Sequence, residues 1–165
     1  MVDIIEKVSR EALLDELNKE RYVRKTNNGN NEIYIINHHN SPNVMREIGR
    51  LREVTFRHAG GGTGKEIDLD EFDLSTHPYE QLLVWNPIDK EIVGAYRYIL
   101  CKNAEYVNGE VKLATTELFH FSAQFYKEYL PYTIELGRSF IQPQYQPSEQ
   151  FRKGLFSLDN LWDGL

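Results

Sequence analysis

Two ionisable residues stand inside an apolar run at residues 132–141, YTIELGRSFI: Glu135 and Arg138, with Gly137 between them. Thr133, Ile134, Phe140 and Ile141 favour a strand, and Gln142-Pro143 stops it because proline cannot donate to a ladder. A charge in such a run is costly to bury unless it is paired or needed. Strict alternation sends Glu135, Gly137 and Ser139 to one face and Ile134, Leu136, Arg138 and Phe140 to the other. A bulge at Gly137 breaks that parity and turns Glu135 and Arg138 towards one cleft. Two readings follow: a structural ion pair at a sheet edge, or an acid and a base at a site of chemistry.

Further charges sit where an apolar face is expected. Arg97, in IVGAYRYIL, shares a strand face with Val93, Ala95 and Ile99 and so points into a partly buried site. Arg52 lies beside Met45 and Phe56 at the flank of a helix's apolar face, where it either snorkels or reaches into a cleft. Glu66, Asp68, Asp70, Glu71 and Asp73 alternate with Ile67, Leu69 and Phe72, so this acidic string is in part anchored. It lacks the glycine and terminal glutamate of a calcium loop. Arg46, Arg50 and Arg57 cluster opposite the apolar face of their helix as a solvated basic stripe, which serves solubility or docks an acidic macromolecule.

The stretch HAGGGTGKE at residues 58–66 is not a phosphate-binding P-loop. That motif follows a strand and ends in Lys-Ser/Thr; here a helix precedes, Ala59 stands at the first glycine and Glu66 at the last position. A mobile glycine loop able to close over a ligand is the expectation. Cys101 has no visible base or cationic setting and reads as an inert core thiol. The histidines show no metal-ligand spacing, and His38-His39 reads as surface.

The elements that must position these residues are legible in outline. Residues 3–20 read as an amphipathic helix, with Ile5, Val8, Ala12, Leu13 and Leu17 on one face. Tyr22-Val23 and residues 32–36 flank the turn NNGNN as a hairpin. Ser41-Pro42-Asn43 opens a helix whose Val44, Ile48, Leu51 and Thr55 share a face. Residues 79–85 and 91–100 form a second hairpin about NPIDK, residues 107–110 form a turn, and an aromatic segment runs from Glu117 to near Pro131. Ser148 caps a final helix striped by Phe151, Leu155, Leu158, Trp162 and Leu165. That stripe reaches the last residue without a cap, so the chain is expected to be a piece of a longer domain.

At 165 residues the chain holds one domain's worth of core. A net charge of −6 argues against nucleic acid as the main partner, because phosphate neutralisation needs a basic surface. A single cysteine excludes an internal disulfide and agrees with a reducing compartment. No run approaches the length of a membrane span, and the polar N-terminus is not a signal peptide. The expectation is a cytoplasmic domain with at most peripheral membrane contact.

Taken in chain order, the helix with Arg52-x-x-x-Phe56, the glycine loop, Asp70-x-x-Asp73, the strand with Val93-Gly94-Ala95-Tyr96-Arg97, and Glu135-x-x-Arg138 resemble a known family. They are similar to the acyl-homoserine-lactone synthase branch of the GNAT acyltransferases. They look closer still to the ornithine-lipid and glycine-lipid N-acyltransferases often labelled hemolysin-like. REIGRLREVTFR, GTGKEIDLDEFD, IVGAYR and ELGRSFI carry the match, across residues 44–162.

The resemblance implies an α/β fold with a mixed central sheet flanked by helices and splayed at the bulged strand of residues 132–141. It implies residues 21–165 as the acyltransferase domain, short of its C-terminal strands, with the helix of residues 1–20 outside it. The donor would be an acyl-phosphopantetheine thioester on acyl carrier protein, with coenzyme A second, and no bound cofactor or metal is implied. The acceptor would be the amine of an amino acid or amino-lipid. Glu135 would be the base, with Arg138 and Arg97 at the catalytic centre and bulge N–H groups on the oxyanion. Arg52, Phe56, Asp70, Asp73 and Glu117 would contact substrate. The three arginines Arg52, Arg97 and Arg138 would hold the acceptor carboxylate, brace the acids or meet a phosphate. Arg46, Arg50 and Arg57 would dock the carrier protein, and the final helix offers a homodimer contact.

Two features depart from the family. QFRKG at residues 150–154 fits the Q/R-x-x-G-x-G/A pyrophosphate loop poorly, which weakens coenzyme A as donor. Glycines 60–62 stand where the lactone synthases place a tryptophan, which ranks signal synthesis from S-adenosylmethionine lower. A non-catalytic acyl- or protein-binding module on the same fold is the third reading.

Overall fold

The computed structural model describes residues 2–146 and 156–164. Strands β1 (Tyr22–Lys25) and β2 (Glu32–Ile36) form the first hairpin, whose turn needs the positive φ of Gly29 and Asn30. Strands β3 (Glu80–Asn86) and β4 (Glu91–Leu100) form the second, with Lys90 at φ 55 closing the turn. The short pair β5 (Tyr106–Val107) and β6 (Glu110–Val111) stands apart, and β7 (Ile134–Ile141) returns beside β4. The main sheet has the order β1-β2-β3-β4-β7. Every pairing in it is antiparallel, so the α/β fold expected from sequence is present with an antiparallel rather than a mixed sheet among the described residues.

Helix α2 (Pro42–His58) crosses one face of this sheet. Its Val44, Met45, Ile48 and Leu51 pack with Tyr34, Ile36, Leu83, Trp85, Ala95 and Phe140, a fit of 3.6-residue and two-residue periods. Helix α1 (Arg10–Glu16) adds Leu13 and Leu17 to the same core. On the other face, Leu161 of α4 (Ser157–Trp162) joins Ile33, Leu82, Val84, Val93 and Tyr96, while Leu158 and Trp162 stay exposed. A third cluster lies where β4 leaves the sheet, formed by Phe72, Tyr79, Cys101, Val111, Leu113 and Leu130. It anchors the excursion between β4 and β7 against the short helix α3 (Glu71–Leu74).

The helix expected over residues 3–20 is corrected to a single short helix, α1, capped by Ser9. Ahead of it the backbone is bonded elsewhere: Val2 N–H to Gly64 O at 3.2 Å, Ile5 N–H to Glu66 O at 3.1 Å, Val8 N–H to Glu47 Oε2 at 3.1 Å. A short helix is marginal alone, so tertiary partners for these N–H groups decide the conformation. The expected start of the final helix at Ser148, with Phe151 and Leu155, lies outside the described residues. No helix among the described residues is long and apolar enough to cross a membrane.

Candidate active site

The site begins with a close approach at Gly49. A Cβ there would meet Ile67 and Leu69 at 2.7 Å, and the bare backbone instead accepts the Asp68 N–H at 3.1 Å. Residues 67–70 are thereby laid along α2, which delivers the acids over Arg52. Asp70 then caps α3, accepting the Phe72 N–H at 3.0 Å, while its own N–H donates to Asp73 Oδ2 at 3.2 Å.

Asp73 is where the cations converge. Arg52 donates to it at 2.9 Å and to Gln81 Oε1 at 2.6 Å, and Gln81 Nε2 donates to Asp73 Oδ1 at 3.1 Å. Arg97 donates to Asp70 at 2.6 Å and Asp73 at 3.3 Å, with its guanidinium over the rings of Phe72 and Tyr79 at 5.4 and 5.3 Å. The side chains of Arg52 and Asp73 have 0% exposure, so they brace the cluster from inside and present nothing to a ligand. Asp70 and Arg138, at 30% and 35%, are its open end.

Arg138 owes its place to the backbone. Along β4, Ala95 and Arg97 face Phe140 and Gly137, so two steps on β4 match three on β7. The extra residue is the bulge expected at Gly137, with the left-handed turn taken by Arg138 at φ 52. That conformation costs a side-chain-bearing residue about 1–2 kcal/mol. It swings the guanidinium to Asp68 Oδ1 and Asp70 Oδ2, both at 3.5 Å. The shifted register also puts Glu135, opposite Ile99, on the same face as Phe140, opposite Ala95.

Glu135 and Arg138 nevertheless do not pair with each other. Glu135 Oε1 accepts from the Tyr79 hydroxyl at 2.7 Å and the Ala114 N–H at 3.2 Å. Oε2 accepts the Thr115 N–H at 3.1 Å and the Thr115 hydroxyl. The Ala114–Glu117 turn, held by the third core cluster, supplies three of these four donors. Tyr79 joins the two halves of the site, bonded to Glu135 and stacked under Arg97.

Burial and charge push the two acids in opposite directions. Burial raises the Asp68 carboxyl above its ordinary value despite Arg138 and Arg52. Burial also opposes ionisation of Asp70, but its hydrogen bond and charge contact with Arg97, with Arg138 behind them, hold it below the ordinary value. Asp68 Oδ2, Arg97 Nε and Arg138 Nε are buried and have no hydrogen-bond partner among the described residues.

Several expected residues lie elsewhere. Arg50 and Arg57 are not a solvated stripe: Arg50 pairs with buried Glu47 at 2.6 Å and Arg57 with buried Glu53 at 2.9 Å. Arg57 also donates to Val2 O and Lys65 O, because residues 2–8 run over that face and buried carboxylates need cations. Arg46 alone of the three is exposed. The glycine loop does not hang free; Glu53 accepts from the Thr63 N–H at 3.0 Å, the Thr63 hydroxyl at 2.6 Å and the Gly64 N–H at 2.8 Å. Phe56 packs against the main core, and Glu117 is exposed at the end of the turn. Cys101 is buried, and burial raises its thiol pKa. Residues 150–154 lie outside the described residues. Sequence reasoning passed over Tyr79, Gln81, Asp68 and Thr115 as site members; a polar Gln81 inside the apolar QLLVW run was the one readable signal.

Beyond the turn lies a groove of about 710 Å³ lined by Tyr106, Val111, Thr116, Phe119, Phe121 and Tyr126 among others. Thr116, on its wall, is the neighbour of Glu135's donor Thr115.

The chain is 58% identical to a glycine N(alpha)-acyltransferase of Bacteroides thetaiotaomicron, over 100% of the chain and 49% of that protein. It is 55% identical to a protein of the same name from Phocaeicola vulgatus, over 100% of the chain and 51% of that protein. The chain thus spans about half the length of the curated relatives it matches. No solved structure is a significant match. The model of the Acetyltransferase (GNAT) domain matches residues 51–153, more than half of the chain, and the chain belongs to the GNAT acetyltransferase family.

Proposed function

We propose that the protein carrying this chain is an N-acyltransferase that moves a fatty acyl group from a phosphopantetheine thioester to the amine of glycine, making an N-acyl amino acid of the glycine-lipid type. The observation that carries this is the open end of the ion network, where Asp70 and Arg138 stand side by side with opposite charge. A zwitterionic amino acid matches that pair, its carboxylate on Arg138 and an amine N–H on Asp70. The printed name of the two relatives supports glycine as the acceptor. We assign the donor to acyl carrier protein, with coenzyme A second, on the poor fit of residues 150–154 to a pyrophosphate loop.

The neutral amine attacks the thioester carbonyl carbon; its N–H becomes acidic as the C–N bond forms, and Glu135 takes that proton. Arg138 and Ser139 have no register partner on β4, and their N–H groups are assigned to the developing oxyanion. When the C–S bond breaks, the thiolate leaves and recovers the proton. The acyl chain lies in the groove beside Thr116.

The test is an assay of the purified protein in its full natural length with glycine and either acyl carrier protein or coenzyme A thioester, read by mass spectrometry. N-acylglycine from the carrier-protein thioester is expected. Product only from the coenzyme A thioester overturns the donor assignment, and no product from either overturns the activity.

A further inference from the structure

A carboxylate offers about four acceptor positions, and those of Glu135 are taken by the Tyr79 hydroxyl, the Ala114 N–H and the N–H and hydroxyl of Thr115. Glu135 is also 7% exposed. An incoming amine therefore finds no free lone pair on it. If Glu135 is the final proton acceptor of the proposed acylation, the reading on which this rests, the proton must arrive through one of its own donors. A backbone N–H cannot relay, because an amide nitrogen has no basic lone pair to receive a proton. Tyr79 is closed off: it is 2% exposed, and its oxygen already accepts the Ala114 N–H at 3.0 Å. Thr115 is different. It is half-buried, its hydroxyl donates to Oε2, and its oxygen accepts no hydrogen bond among the described residues. It also adjoins Thr116 on the wall of the groove.

We propose that Thr115 is the proton relay between the acceptor amine and Glu135. As the C–N bond forms, the amine N–H bond breaks and its proton passes to Thr115 Oγ1. In the same step the Thr115 O–H bond breaks and that proton passes to Glu135 Oε2. When the C–S bond breaks, Glu135 returns its proton to Thr115 Oγ1 while the Thr115 hydroxyl proton passes to the leaving sulfur, so the thiolate departs as the thiol. No further reactant is required.

Thr115→Val, Thr115→Ser and Glu135→Gln, each in the protein of full natural length, test this with acyl thioester and glycine. Thr115→Val is expected to lower kcat by about 100-fold or more while the KM for glycine stays within about twofold. Thr115→Ser, which keeps a hydroxyl, is expected within about threefold of the wild type. Because a displaced Glu135 also lowers kcat, the decisive reading is kcat against the deuterium fraction of the solvent. The wild type and Thr115→Ser are expected to give a bowed plot, with two protons in flight, and the residual rate of Thr115→Val a straight one. A Thr115→Val kcat within about threefold of the wild type overturns the relay, and so does a Thr115→Ser as slow as Thr115→Val. A fully active Glu135→Gln overturns the base and the relay together. A wild type that makes no N-acylglycine overturns the functional reading before any variant is compared.

Discussion

Asp73 accepts from Arg52, Gln81, Arg97 and the backbone of Asp70, with no surface of its own. Burial, with the neighbouring charge of Arg97, works against the charge of Arg52 and holds the guanidinium below its ordinary value, and Asp73 is the main group opposing them. Asp73→Asn therefore leaves a buried guanidinium without its counter-charge, and a loss of about 3–5 kcal/mol is expected in denaturant unfolding. Arg52→Lys is expected to be nearly as damaging, because a single ammonium cannot span Asp73 and Gln81 as the planar fork does. At this scale the sequence marked charges that the fold buries in one cluster, and only in part their partners. The spacing of Glu135 and Arg138 left open a mutual ion pair or a shared cleft. In the fold each reaches a different segment, Glu135 the 114–117 turn and Arg138 the 68–70 strip, and no local pattern encodes distances between such remote pieces of chain.

The helix α2 shows why a face opposite an apolar stripe need not be solvent. Glu47 and Glu53 on it are buried and carry the N-terminal segment and the glycine loop respectively. Burial raises the Glu53 pKa, but the bonds from Thr63, Arg57 and Gly64 outweigh it and hold the carboxyl below its ordinary value. A depressed carboxyl contributes stability that is full above the unfolded value, about pH 4.3, and is lost as pH falls through the folded one. Glu53→Gln is expected to lower Tm most at neutral pH, with the gap to the wild type closing in melts run down to about pH 3. Gly94 makes the corresponding point for the sheet, since a Cβ there would sit 2.4 Å from Phe140 O. Backbone cannot step aside as a side chain can, so Gly94→Ala is expected to cost about 1–3 kcal/mol and to disturb the β4–β7 pairing beside the bulge, measurable by unfolding and amide exchange.

Across the whole molecule, three packed clusters divide the work: two hold the sheet between helices, and the third holds the 101–132 excursion against Glu135. The groove in that excursion carries a prediction of its own. Filling it with Ala123→Trp is expected to shift the preferred donor to shorter acyl chains by several carbons, each lost methylene weakening long-chain use about fourfold; kcat/KM across an acyl-length series measures it. By itself the sequence determined the two hairpins, the start of α2, the strand at residues 134–141 and its bulge, because alternation, turn residues and a glycine inside an apolar run act locally. It also marked the charges that had to be buried or used. What only the tertiary structure decided was which of those charges meet. Residues 2–8 abandon the helical pattern for partners on α2 and the 64–66 loop, and Arg50 and Arg57 turn inward to buried carboxylates. Glu135 is enclosed by donors from a turn 20 residues away in sequence. The physical reason is the same in each case: a buried polar group must find a partner, and the partner is set by packing in three dimensions rather than by spacing along the chain.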